Sequence, residues 1–244
     1  MPVEFELNPD LDRKALKAAF KKERRVLLPD FLAGDGAEQL FAFIATRLRW
    51  GLSFNEGKKA VVYTPDRLAS MTGRRQRDLL QKIFARAQTG YQYLYKCFPI
   101  TTDPAVSEAS GEIIHDLLDF LNGDAVLALI REISGVTELA AAEAEVAFFA
   151  QQHFAGRHDG GANGGGKRLA FELGLTRDWR TDWGGYLQFF DEEGDVVAGI
   201  PPGFNTLTLF ALPQDHNISM VAPFTDVARL AISGRFSNRP ADNA

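Results

Sequence analysis

The chain has 244 residues, 45% of them hydrophobic and 24% charged, the balance of a globular protein with one substantial core; disorder, collagen and coiled coil are excluded. The 27 Lys and Arg against 32 Asp and Glu give a formal charge of −5 and a pI near 5.5, so there is no global electrostatic footprint for nucleic acid or an anionic membrane, and a basic partner or a small ligand fits better. The single cysteine, Cys97, excludes an internal disulfide or a thiolate metal cage and suits a reducing compartment.

The first residues lack a basic segment followed by an apolar one, and no run of about 18 apolar residues occurs. The expectation is a cytoplasmic protein with no membrane and no nucleic-acid partner. Nitrogen ligands come only from His115, His153, His158 and His216.

The first half reads helical. Leu11, Ala15, Leu16, Ala19 and Phe20 fall at helical spacing, and Leu40, Phe41, Phe43, Ile44 and Leu48 form a second stripe. Thr64-Pro65-Asp66 carries a helix-start signal, and Leu79 to Phe84 continue that region, with Gly73 expected to interrupt it. Tyr91 to Ile100 is aromatic and strand-like. Ile113 to Leu121 and Val126 to Ile133 predict two further helices. From about residue 144 the period shortens: Leu169, Phe171 and Leu173 alternate, and Tyr186–Phe190, Thr206–Leu212, His216–Val221 and Leu230–Phe236 are short runs bounded by turn residues. The expected architecture is a single α+β domain, with residues 1–143 a mainly helical support region and 144–237 a β-rich jelly-roll core.

Gly160 to Lys167 satisfies part of a phosphate-loop pattern. Arg168 stands where Ser or Thr would bind magnesium, and the segment beyond it reads as a strand where a helix is required. A loop at the mouth of a site is the better reading. His158 precedes the first core strand, His216 opens a late one, and Arg229 lies on the next. Such separation suits a metal site assembled from strand ends, with the arginine holding an acidic co-substrate. Spacing alone favours two solvated histidines and a surface arginine, because paired histidines are a common accident. Asn205 either contacts substrate or fixes a loop. The basic clusters Lys21–Arg25 and Arg74–Arg77 read as solvated helix faces, His115 as a surface or capping residue, and Trp179 and Trp183 as packing residues beside Asp178 and Asp182.

The order of motifs over Phe148–Phe236 resembles the iron(II)- and 2-oxoglutarate-dependent oxygenases of the prolyl-4-hydroxylase-like group. The residues concerned are His153-Phe154, His158-Asp159, Leu175–Trp179, Trp183–Phe190, Pro202–Asn205, Leu209-Phe210, His216–Ser219 and Arg229–Gly234. Upstream, Trp50–Asn55 and Gly90–Tyr95 look like the helical support region of the same group. The resemblance implies a double-stranded β-helix, Fe(II) held by His158 and His216, 2-oxoglutarate paired with Arg229, O2 as co-substrate, and a small-molecule or prolyl/amino-acid-type substrate.

One position departs from the group. Its His-x-Asp pattern would place an iron-binding carboxylate at residue 160, which in this chain is Gly160. Asp159 is the nearest carboxylate, but adjacent strand residues point to opposite faces. Three readings follow: a halogenase, in which chloride takes the carboxylate's place on iron as in the known members with Gly or Ala there; a hydroxylase that has lost its aspartate; and a non-catalytic binding protein that keeps the fold.

Overall fold

The structure is a computed structural model, described over residues 3–100, 112–161 and 167–238. The chain runs α1 (Arg13–Glu23), β1 (Arg25–Leu28), α2 (Gly36–Arg47), β2 (Gly51–Glu56), β3 (Lys59–Tyr63), α3 (Pro65–Ala69), α4 (Gly73–Ala87) and β4 (Tyr93–Ile100). After the undescribed 101–111 come α5 (Glu112–Asn122), α6 (Asp124–Ser134), β5 (Ala141–Phe149), β6 (Phe154–His158), β7 (Lys167–Leu175), β8 (Leu187–Phe190), β9 (Val196–Ile200), β10 (Phe204–Ala211), β11 (His216–Ile218) and β12 (Arg229–Ser237).

Local chemistry sets several boundaries. Asp12 Oδ1 accepts the Ala15 amide at 3.0 Å and starts α1. Thr64 and Thr72 cap α3 and α4 through their hydroxyls, so Gly73 opens a second helix where the sequence pattern placed an interruption. No helix of the described residues is long and apolar enough to cross a membrane.

The strands form an antiparallel sheet in the order β1-β10-β7-β12-β5-β4-β6-β11-β8-β9, with β2 on β4 and β3 on β2. The sheet curls where β4 hands over from β5 to β6, so that β6-β11-β8-β9 face the longer limb. Gln92 pins this corner. Its Oε1 accepts the Asn55 and Tyr93 amides at 2.8 and 2.9 Å, its Nε2 donates to Asn55 O at 2.9 Å, and its carbonyl accepts the Gly156 amide at 2.8 Å. A Cβ on Gly156 would sit 2.8 Å from that carbonyl, which is why glycine is required at so close an approach. The result is the expected α+β jelly-roll architecture.

The segment read as mainly helical carries more strand than the sequence pattern shows. It also supplies β1 to β4 to the same sheet, and Trp50–Asn55, read as helical support, runs into β2. β1 and β3 are short, and helical and extended apolar runs of that length look alike in sequence.

Strand alternation divides the interior. On β12, Leu230, Ile232 and Phe236 join Leu169, Phe171, Leu173 and Leu175 of β7 and Val146 of β5 in a core under α1, α2, α5 and α6. The intervening residues Arg229, Ala231, Ser233 and Arg235 face the other way, into the concave side of the sheet. A second core between the limbs gathers Phe149, Ala155, Leu187, Phe189, Phe210 and Ile218, and a third packs Phe54, Leu94 and Phe154 beneath Ile83 of α4. The partition is testable by neighbouring substitutions on β12. Ile232→Ala empties a fully buried site and is expected to cost about 2–5 kcal/mol in urea unfolding; Ser233→Ala, on the cavity face, should change stability by less than about 1 kcal/mol.

Candidate metal and co-substrate site

His158 closes β6 and His216 opens β11, and the two stand directly opposite in the antiparallel register. Their ring centroids are 4.2 Å apart. The Nδ1 of each faces a carbonyl two residues upstream, Gly156 O at 3.0 Å and Gln214 O at 2.7 Å. A carbonyl only accepts, so each Nδ1 carries the proton and each Nε2 keeps a free lone pair, the tautomer of a metal-binding histidine oriented by a backbone partner. Burial, chiefly, holds both imidazoles below their ordinary value, His216 at about 4; the pair's proximity and the Arg235 charge add to this. Both are therefore neutral donors at pH 7. Phe210 meets the His216 ring edge-on at 4.8 Å and Tyr91 lies 5.1 Å from His158, so an aromatic ring flanks each imidazole.

The residue where the family pattern has a carboxylate offers no donor. Gly160 is buried at φ +87°, its carbonyl accepts Arg235 Nη2 at 3.1 Å, and a Cβ built on it would overlap the Leu212 side chain. Asp159 is exposed and folds back on its own turn, accepting the Gly161 amide at 2.8 Å. Among the described residues no group of three or more His, Cys, Asp or Glu is placed to hold a metal. The chain thus presents two neutral nitrogen donors. That set fits Fe(II) when the remaining positions are filled from outside the protein. The loop expected at the site mouth falls largely on 162–166, outside the described residues; Lys167 beyond it opens a strand, not the helix a phosphate loop requires.

Arg229 begins β12 opposite Phe149 and is 1% exposed. One arm of its guanidinium is paired with Glu172, and the group lies over the Phe149 ring at 5.2 Å. Its Nε and Nη1 have no hydrogen-bond partner among the described residues. Buried, unpaired donors of this kind are costly, and an incoming carboxylate would satisfy them. The fit to an acidic co-substrate is therefore good at those atoms, although it is Glu172 that borders the adjacent cavity.

That cavity, about 640 Å³, is lined by His158, His216, Arg235, Glu143, Glu145, Glu172, Tyr91, Tyr93, Tyr95 and several apolar residues. Small side chains on its walls leave this room, Ala147, Ala155 and Ala170 among them.

Several candidates take structural places. Asn205 uses both ends of its amide on Leu32, accepting its N–H and donating to its carbonyl at 2.9 Å each. Of the two roles read from sequence, this is the loop-fixing one. His153 is buried with Nδ1 3.1 Å from the Ala150 amide and 3.3 Å from the Phe148 carbonyl. Trp179 Nε1 donates to Gly184 O, and Asp182 pairs with Arg180. Cys97 is buried in the sheet, where burial pushes its thiol up to about 12. Sequence reasoning missed Arg235, Glu145 and Glu172. The available signal was period two: Glu143-x-Glu145 and Arg229-x-x-x-Ser233-x-Arg235 place polar groups on one face of otherwise apolar strands.

Residues 144–237 match the family model of the 2OG-Fe(II) oxygenase superfamily. A comparison with curated proteins finds no significant match. Among solved structures, a Pseudomonas putida prolyl-4-hydroxylase superposes with a TM-score of 0.61 at 17% identity, covering 93% of this chain and all of that one. A Trichoplax adhaerens prolyl hydroxylase, in complex with a hypoxia-inducible-factor peptide, gives 0.61 at 16% identity over 93% and 89% of the two chains. The α-ketoglutarate-dependent epimerase SnoN of nogalamycin biosynthesis gives 0.55 at 13% identity over 92% and 81%. The fold is that of the 2-oxoglutarate oxygenases. The matched segment contains both histidines, Gly160 and Arg229 and covers less than half of the chain.

Two outcomes follow from local chemistry. His153 titrates near 4 when folded against an ordinary 6.5, because burial penalises the cation. The unfolded chain therefore binds the extra proton first, and stability falls as pH drops from 6.5 towards 4; His153→Gln should flatten that part of a pH series of urea midpoints. Gly160→Ala forces an L-residue to positive φ and drives a methyl into Leu212, an expected loss of roughly 1–3 kcal/mol. Combining it with Leu212→Ala should remove the overlap but not the backbone term.

Proposed function

We propose that the protein is a mononuclear non-haem iron enzyme that uses 2-oxoglutarate and O2 to functionalise an unactivated C–H bond, with a halide taking the position of the missing carboxylate. The observation that carries the reading is the pair His158–His216, Nε2 free and neutral, beside a glycine whose backbone admits no side chain without displacing Leu212. When bound, iron with 2-oxoglutarate and O2 supplies the oxidising power for hydrogen abstraction.

The chain's own residues do the rest. His158 and His216 would hold the metal, each fixed in tautomer by its carbonyl partner. Arg229 would pair with the far carboxylate of 2-oxoglutarate through Nε and Nη1. Arg235, anchored on Gly160 O, brings positive charge beside the donor set. With no carboxylate at residue 160, the metal would lack one negative charge from the protein, and a chloride from solution would restore it.

Hydroxylation is the second reading, supported by the prolyl hydroxylases among the structural neighbours; water would then stand where the first reading puts the halide. The substrate class of those neighbours suggests a prolyl or other amino-acid-type substrate as readily as a small natural product. A non-catalytic binding role is the third.

The readings separate in one aerobic assay with Fe(II), 2-oxoglutarate and saturating chloride, analysed by mass spectrometry. Succinate with a chlorinated product is expected. Hydroxylated product alone would move the assignment to a hydroxylase, and absence of succinate with every substrate tried would move it to a binding protein. In the same preparation His216→Ala should lower iron retention by about 100-fold or more, since it removes one of two protein donors; unchanged retention would take His216 out of the site.

A further inference from the structure

We propose that Glu145, set in a wall of tilted tyrosine rings, is the anchor for a cationic group of the substrate, so that the cavity takes amines. The inference rests on the iron-enzyme reading and deepens it, taking the cavity as that enzyme's substrate chamber.

Charge placement is the first argument. Among the described residues, three carboxylates and one guanidinium border the cavity: Glu143, Glu145, Glu172 and Arg235. Glu172 is paired with Arg229 behind the wall. Glu143 stands directly opposite Arg235 on the neighbouring strand, the arrangement in which opposite charges compensate. Glu145 is the third acid. It lies opposite Ser233 on one side and Pro99 on the other, and its Oε1 accepts a 2.7 Å hydrogen bond from the neutral Tyr95 phenol. Enclosure raises its proton affinity, with only Tyr95 and the Arg235 charge acting in the opposite direction. A carboxylate enclosed in this way is stabilised by an incoming cation.

The second argument is the shape of the wall. Tyr93 and Tyr95 project from the same face of β4, preceded by Tyr91, and the rings form a ladder with steps of 5.7 and 5.6 Å. Phe149 stacks on Tyr95 at 4.9 Å and 17°. The ladder begins beside the His158 ring and ends at Glu145. Aromatic faces attract an ammonium and tolerate an alkyl or aryl chain. A ligand lying along the ladder with its cation on Glu145 therefore presents its other end to the histidine pair.

The test compares cations with neutral isosteres. Binding of n-butylammonium against n-butanol, and of phenethylammonium against 2-phenylethanol, is measured by calorimetry at pH 7 on the anaerobic Fe(II)- and 2-oxoglutarate-loaded protein. The amines are expected to bind at least about tenfold more tightly than the alcohols, the scale of a desolvated cation–π and carboxylate contact. Glu145→Gln should erase that preference while leaving the melting temperature close to wild type. Should Glu145→Gln not fold, Glu145→Asp is read instead, with a several-fold smaller preference expected. Equal affinities in the wild type, no binding of either amine, or a preference that survives substitution of Glu145 would each overturn the proposal. A His158→Ala variant separates it from the iron reading: amine preference kept with iron lost supports the anchor, and normal iron binding with no amine preference defeats the anchor alone.

Discussion

The antiparallel pairing of β6 with β11 is the constraint on which the site rests. His158 and His216 are direct cross-strand partners, and because side chains alternate, a slip of one residue would turn one imidazole to the opposite face. Three residues of β11 are a short ladder to carry that register, and it is secured from both sides. β8 pairs along the whole of β11, and β4 holds the start of β6. The residues just before the histidines lock together on the outer face, where Arg157 binds Asp215 through Nε at 2.8 Å and Nη2 at 2.5 Å while lying over the Phe190 ring. Such a half-exposed pair adds little energy. Its geometry nonetheless admits the register that puts both free nitrogens on the cavity side.

Electrostatics then shape what the site accepts. A third ligand of carboxylate type would have given the metal one negative charge from the protein. Gly160 withholds it, and Arg235 adds a positive group within hydrogen-bond distance of the same backbone. On the proposed reading, a metal held here would favour two anions, the co-substrate and a smaller ligand, in a region where burial already keeps both histidines uncharged. Farther along the same cavity the sign reverses, since the Arg229–Glu172 pair is internally balanced and Glu145 faces phenols. A single chamber in a protein of net charge −5 thus joins an anion-seeking end to a cation-seeking wall. Net charge conveys neither.

How much was legible in the sequence varies with the kind of signal. The helices containing Leu16 and Phe20, Ile113 to Leu121 and Val126 to Ile133 were readable because their apolar stripes recur at 3.6 over two turns or more. The late strands were readable from turn residues at both ends. β1, β2 and β3 were not, because four to six residues with apolar neighbours satisfy either period, and tertiary pairing decides between them. His158, His216, Gly160 and Arg229 came from motif order, which encodes the strand sequence but not what each side chain touches. Asn205 could be seen only as one of two alternatives, since its hydrogen bonds go to Leu32, far upstream. Arg235 and Glu145 were hidden among alternating strand residues whose facing partners lie on other strands.

The segregation of the two faces explains how a chain of this size carries so many polar groups inside. Along β12, β5 and β7 every second residue belongs to the helix-covered core, and many of these are fully buried aliphatic or aromatic side chains. Those contacts stabilise the strands whatever occupies the concave side. Enclosing Glu145 and leaving Arg229 with unpaired donors both oppose folding, and placing them on rigid, doubly paired strands confines that penalty to positions where a ligand can relieve it. The same separation makes the cavity face open to change, because Ala147, Ala155 and Ala170 line it with small side chains. A substitution there alters what the cavity admits before it alters whether the sheet forms, whereas Gly160 is tied to its glycine by the backbone turn and by Leu212. The identity of residue 160 is in this sense a property of the fold as well as of the metal site.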